Sequence, residues 1–146
     1  MIQMLIEAAA GSCDKNYYDE QTREYQRTRR VARPYPYPYG FILGPRTEDG
    51  DCVDCYLITR DPVTPGAVVA CEPVGLLLVD ENGEVDHKIL AARPGQEVAP
   101  GEELLRELQE FIAAIWAANP DMRIGVGPIL PRQAALQYLE ESGPEK

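Results

Sequence analysis

The densest chemistry in the chain lies in Thr47-Glu48-Asp49-Gly50-Asp51-Cys52-Val53-Asp54, where three aspartates fall within six residues around one glycine. Carboxylates this close repel one another, by roughly 4 kcal/mol for a pair 4 Å apart near a protein surface. A cation relieves that repulsion, and oxygen donors suit the hard ions Mg²⁺, Mn²⁺ and Ca²⁺. The same letters also fit a solvated acidic turn, since Asp-Gly is a common hairpin signal.

Basic residues are placed unevenly. Arg23, Arg27, Arg29, Arg30 and Arg33 crowd one short segment, whereas the lysines are only Lys15, Lys88 and Lys146. An arginine cluster in an acidic chain can hold phosphate bidentately, or it can be a solvated face with acidic partners of its own. Cys52 and Cys55 form C-x-x-C, and with Cys71 and the only histidine, His87, they supply a Cys₃His set for zinc. Zinc pairs usually sit in tight knuckle turns. Cys52 to Thr59 instead reads as a buried strand, so core thiols are expected.

A length of 146 residues suits one domain, 1–146, with a real core, and 45% hydrophobic content argues against disorder. The net charge of −10 argues against nucleic-acid or anionic-membrane partners. No apolar run reaches membrane-spanning length, and Met1 to Glu7 lacks the basic start of a signal peptide, so a soluble cytoplasmic protein is expected.

Met1 to Glu7 reads as a first strand, Gly11 to Asp19 as turn, and Tyr25 to Val31 as a second strand. Pro34 to Gly40 alternates proline and tyrosine, which excludes a helix and predicts an extended run along a sheet edge. Cys52 to Thr59, Ala67 to Val79 and His87 to Ala92 are further strands, with turns at Pro62 to Gly66 and Glu81 to Glu84. Short strands with frequent turns suggest a small barrel. The last third is helical. Glu102 to Ala118 sets Leu104, Leu105, Leu108, Phe111, Ile112, Ile115 and Trp116 near one face, and Asn119-Pro120-Asp121 stops it. A second helix runs from about Pro131 to Glu141, closed by Gly143 and Pro144.

From Tyr35 to about Ala91 the chain resembles the soluble (family I) inorganic pyrophosphatases. The resemblance is carried by Y-P-Y-P-Y-G-F-I, E-D-G-D-C-V-D, P-G-A-V-V-A-C-E-P-V-G and D-E-N-G-E-V-D-H-K, and more weakly by Leu5-Ile6-Glu7 and Gly11 to Lys15. It implies an α+β fold, mainly β: a five-stranded OB-like barrel with two flanking C-terminal helices. It also implies Mg²⁺-dependent hydrolysis of pyrophosphate to two phosphates, with Mn²⁺ as a possible substitute, and a homo-oligomer, a hexamer in bacterial relatives.

Carried over residue by residue, the resemblance gives Asp49, Asp54 and Asp86 to the first metal, with Asp54 shared by a second. Asp51 would take the proton of the attacking water. Asp80 would join Asp86 on further metals, through a one-residue shift without which Glu81 aligns, and Glu7 would hold another ion. Lys15, Arg29 (or Arg30 if the alignment slides), Tyr39 and Lys88 would contact phosphate, with Tyr35 beside them.

Three departures accompany the match. The family's Lys-Tyr-Glu is Lys15-Asn16-Tyr17 here, so its acid is missing, and Asp19 and Glu20 are the nearest replacements. A Tyr-Lys pair late in the family's first C-terminal helix is replaced by Ile115 and Trp116. The chain is also shorter than usual, mainly in its N-terminal third. A reduced grip on substrate leaves a second expectation: a metal- and phosphate-binding relative with weak turnover, or one acting on another small phosphorylated ligand.

Overall fold

A computed structural model of the chain describes residues 1–47 and 49–143. The described strands are β1 (Ile2–Ala8), β2 (Asp14–Tyr18), β3 (Tyr25–Arg30), β4 (Tyr39–Arg46), β5 (Cys52–Leu57), β6 (Val68–Glu81), β7 (Glu84–Val85), β8 (Lys88–Ala92) and β9 (Ile124–Pro131). Helix α1 spans Glu102–Ile115, and α2 spans Arg132–Glu141.

Hydrogen-bonded neighbours run β1-β4-β5-β8-β6, and β6 pairs back onto β1, so five strands close a ring. Only the β5–β8 pair within that ring is parallel. The hairpin of β2 and β3 stands apart as its own sheet, and β9 extends the ring along β6. The architecture is the expected one, mainly β with two helices.

Strand alternation sorts the side chains. Met4, Ile6, Ile42, Val53, Cys55, Leu57, Cys71, Leu76, Ile89 and Ala91 pack together inside the ring, and α2 covers them with Ala135, Tyr138 and Leu139. Tyr39, Tyr56, Leu77, Val79 and Leu90 lie on the outer wall, where α1 packs Leu104, Leu108, Phe111 and Ile112 against them. Gly40 makes the β1–β4 approach possible: a Cβ there would lie 1.8 Å from the Leu5 carbonyl oxygen.

Several segments differ from the sequence-based expectation. Asp14–Tyr18 is a strand rather than part of a turn-rich run, because it pairs with β3 in register Lys15↔Arg29 and Tyr17↔Arg27. The Pro-Tyr run does not follow a sheet edge. Its tyrosines turn inward between barrel and helix, with Tyr35 4.7 Å from the Phe111 ring and Tyr37 donating to Glu107 at 2.7 Å. Alternation with proline puts all three tyrosines where apolar burial is available, and this outweighs the edge preference of proline. Strands β4 and β9 are additional to the strands that the sequence pattern predicts. Helix α1 ends at Ile115, with Trp116 as its C-cap. The Pro144 part of the second helix stop lies outside the described residues, as do Glu48 and Lys146.

Candidate active site

The parallel pairing of β5 with β8 sets Asp54 directly opposite Lys88. Both point outward, since their neighbours Val53, Cys55 and Ile89 fill the ring. The Lys88 ammonium is buried and donates to Asp54 Oδ2 at 2.7 Å, to Asp86 Oδ2 at 2.9 Å and to the Tyr39 hydroxyl at 3.1 Å. Burial works against this charge, but Asp54 and Asp86 hold it well above the ordinary lysine value. Burial likewise works to raise the Asp54 carboxyl, and Lys88 overrides it, so Asp54 stays below its usual value. Burial pushes the Tyr39 hydroxyl up strongly, with Asp54 adding to it, so Tyr39 remains a neutral donor.

This cluster forms one end of a cavity of about 570 Å³ between the barrel wall, the β2–β3 hairpin and the end of α1. Lys15, Tyr17, Arg29 and Arg30 enter from the hairpin, and Glu81 enters from β6. The Lys15 ammonium lies 4.8 Å from the Tyr17 ring centre and 5.6 Å from that of Tyr39. Arg29 and Arg30 both line the cavity, although they are neighbours on one strand. Phe111, Ile112, Ile115 and Trp116 close the far side.

Glu81, not Asp80, faces this cavity. On β6 the outward side chains Leu77 and Val79 continue to Glu81 by the period of two, whereas Asp80 points away. The Asp80 carboxylate instead accepts the Gly83 N–H at 2.6 Å and closes the turn into β7. The one-residue shift used to place Asp80 at the site is therefore not what the strand geometry provides. Burial, and then Asp86, raise the Glu81 carboxyl to about 7.

Glu7 does not line the cavity, but it interacts electrostatically with Lys15, Asp54 and Lys88, which do. A register shift between Ile6 and Ala8 in the β1–β4 pairing leaves it at an irregularity, which re-aims its side chain. It is 7% exposed. Burial raises its carboxyl to about 7, with Lys15 pulling the other way and Asp54 adding to the rise. Tyr35 lines the cavity, stacks on Tyr39 at 5.5 Å and has its hydroxyl raised by burial.

Asp49 and Asp51 are not brought to this lining. Both are exposed, in the loop between β4 and β5. Among the described residues no group of three or more His, Cys, Asp or Glu side chains converges on a point that could hold a metal. The loop is anchored by residues the motif does not contain. Glu20 Oε1 accepts from Arg46 at 2.8 Å and from the Cys52 N–H at 3.0 Å, and Arg46 also reaches the Gly50 carbonyl at 3.3 Å. Glu20 thus ties both ends of the loop. Asp19 caps the hairpin turn, accepting the Gln21 and Thr22 N–H groups, so both acids are engaged in holding the turn and the loop. No sequence signal singled out Arg46.

The zinc set does not assemble. Cys52 packs on the outside with Leu5 and Phe41, while Cys55 and Cys71 are inside the ring. His87 Nδ1 accepts the Val79 N–H at 3.0 Å.

The sequence matches the family model for inorganic pyrophosphatase over residues 4–117. The inorganic pyrophosphatase of Nanoarchaeum equitans is 38% identical over 114 residues, covering 76% of this chain and 71% of that protein. That of Nostoc sp. is 38% identical over 93 residues, covering 62% of this chain and 55% of that protein. The matched segment therefore spans little more than half the length of some curated relatives. The crystal structure of inorganic pyrophosphatase from Thermus thermophilus superposes with a TM-score of 0.84 at 29% identity, covering 96% of this chain and 87% of that one. The chain belongs to the inorganic pyrophosphatase family. Among the described residues no helix is long and apolar enough to cross a membrane.

Proposed function

We propose that this chain is an inorganic diphosphatase, hydrolysing pyrophosphate to two phosphates with Mg²⁺ as its ion and Mn²⁺ as a substitute. The observation that carries the reading is the buried Lys88–Asp54–Asp86–Tyr39 cluster opening onto a cavity that Lys15 and Arg29 also line. Such a cluster is poor value for stability, because well-packed apolar residues commonly do as well or better. Its use is to meet a ligand that carries both phosphate and metal.

The donor chemistry fits a hard divalent ion. Asp54, Asp86, Glu81 and Glu7 are all oxygen donors, and two of them, Glu7 and Glu81, are raised to about 7, first by burial, which Lys15 and Lys88 only partly offset. When bound, the ion supplies charge neutralisation and a more acidic water. Lys15, Arg29, Tyr39 and Lys88 would hold the phosphoryl oxygens and stabilise the departing phosphate. Glu81 takes the place first given to Asp80. The roles of Asp49 as a further metal ligand and Asp51 as proton acceptor rest on their place in the D-G-D-x-x-D order alone. One domain over 1–146, a cytoplasmic location and a homo-oligomer, hexameric by resemblance, belong to the same proposal, as does the absence of nucleic-acid and membrane partners.

The test is phosphate release from pyrophosphate. EDTA should abolish it and Mg²⁺ should restore it. Pure protein at micromolar concentration that shows no Mg²⁺-dependent release above buffer refutes the reading.

A further inference from the structure

The cavity is lined by two chemically different sets of side chains. One is ionic, built from Lys15, Arg29, Lys88 and the acids. The other is a wall of Phe111, Ile112, Ile115 and Trp116. Inorganic pyrophosphate is ionic at both ends and gains nothing from such a wall. Cavities of roughly 300–1,000 Å³ with a mostly apolar lining and a few convergent polar groups are the usual size for organic ligands, and this one is about 570 Å³. Phe111 and Ile112 are buried in the outer-wall core, whereas Ile115 and Trp116 are only half-buried, and apolar surface left facing water in a concave site is a standing cost that a ligand with apolar surface removes.

The wall is built by the sequence. Ile115 ends α1 and Trp116 caps it, with the Trp116 N–H bonded to the Ile112 carbonyl at 3.3 Å. Trp116 lines the cavity, is half-buried and packs against the outer-wall core. Trp116 is the only tryptophan in the chain.

We propose that the site accepts a substituted diphosphate, R–O–PO₂–O–PO₃, in which R is an aromatic group lying against Trp116 and Ile115. This rests on the diphosphatase reading of the same site. The terminal phosphoryl group sits among Lys15, Arg29 and Lys88. Water oxygen bonds to the terminal phosphorus, and the bond from that phosphorus to the bridging oxygen breaks. The pair of electrons leaves with R–O–PO₃ as a phosphate monoester, and one water proton passes through a site carboxylate to solvent. The products are one phosphate monoester and one inorganic phosphate.

The probes are the monobenzyl and monomethyl esters of methylenebisphosphonate, which carry equal charge and cannot be hydrolysed at the bridge. Calorimetry in the presence of Mg²⁺ should give at least tenfold tighter binding for the benzyl ester. The benzyl ester alone should shift the emission of Trp116. Trp116→Ala, checked by its melting temperature, should bring the two esters to within threefold of each other. Benzyl diphosphate should yield benzyl phosphate and inorganic phosphate.

Equal binding of the two esters by the unaltered protein overturns the proposal without recourse to any variant. If pyrophosphate is hydrolysed while the benzyl ester binds no better than the methyl ester, the substituted-diphosphate proposal falls and the diphosphatase reading stands. If neither ester binds and pyrophosphate is not hydrolysed, both fall.

Discussion

Glu7→Gln offers a direct measure of how strongly the buried Glu7 carboxylate opposes folding. Glu7 is buried, and its carboxyl is raised from 4.5 to about 7, first by burial and then by Asp54, against the pull of Lys15. In the unfolded chain the group loses its proton near 4.5, whereas in the folded chain it keeps it until about pH 7. Between those values the folded state binds more protons, so stability falls as pH rises and reaches a floor above about 7. Each pK unit is 1.36 kcal/mol, so the full loss is about 3 kcal/mol, of which roughly 2.5 falls between pH 5 and 8. Glutamine keeps the shape and cannot ionise. In metal-free buffer the variant should therefore gain about 2–3 kcal/mol on the parent between pH 5 and 8, or roughly 5–10 °C in melting temperature. Urea unfolding at both pH values reads this directly. Saturating Mg²⁺ should shrink the gap at pH 8, because a cation lifts the cost of the buried carboxylate. Parallel stability curves for the two proteins across this range would refute the burial argument for Glu7.

Two further outcomes follow from the site geometry. Glu81→Gln should lower Mg²⁺-dependent phosphate release by roughly tenfold or more, as loss of a metal-site carboxylate does, while Asp80→Asn should stay within about twofold of the parent. The reverse order in a steady-state assay would restore the shifted alignment. Lys88→Met should weaken phosphate binding by about ten- to a hundredfold, the worth of a charge-assisted contact, and tighten Mn²⁺ binding as Asp54 and Asp86 lose their shared ammonium. Calorimetry with each ion separates the two effects, and a loss of Mn²⁺ affinity would count against the charge-balance account.

The sequence is legible where local pattern and global structure agree. Helix α1 and the strands around Cys52 and Lys88 announce themselves through apolar periodicity, whereas of the D-G-D-x-x-D acids only Asp54 lines the cavity. Strands β4 and β9 do not, because Gly40, Gly44 and Pro45 interrupt one, and Gly125, Gly127, Pro128 and Pro131 interrupt the other. They are strands because β1, β5 and β6 offer paired edges, a cause that no local window contains. The β2–β3 hairpin was half-visible for the same reason: Asp14–Tyr18 reads as turn until β3 supplies its partner. At the site, motif matching gave the residue types but not their facing. Whether Asp80 or Glu81 faces the cavity depends on which of them continues the outward series Leu77 and Val79 on β6, and that is Glu81, the residue that aligns without a shift.

The same strand alternation explains why the ionic cluster stands on the outer wall rather than inside the ring. Inside, a five-stranded ring leaves room only for close-packed Met, Ile, Val, Leu, Ala and thiol side chains, and an ammonium there would lack both water and partners. On the outer wall, Lys88 is buried by Tyr39 and Tyr56 while Asp54 and Asp86 remain partly open. The cation is thus fixed by packing, and the carboxylates keep free lone pairs toward the cavity. On the proposed reading a metal ion would bind those lone pairs without displacing Lys88, so that the positive charge that meets a phosphate and the negative charge that meets a metal would share one register position of β5 and β8.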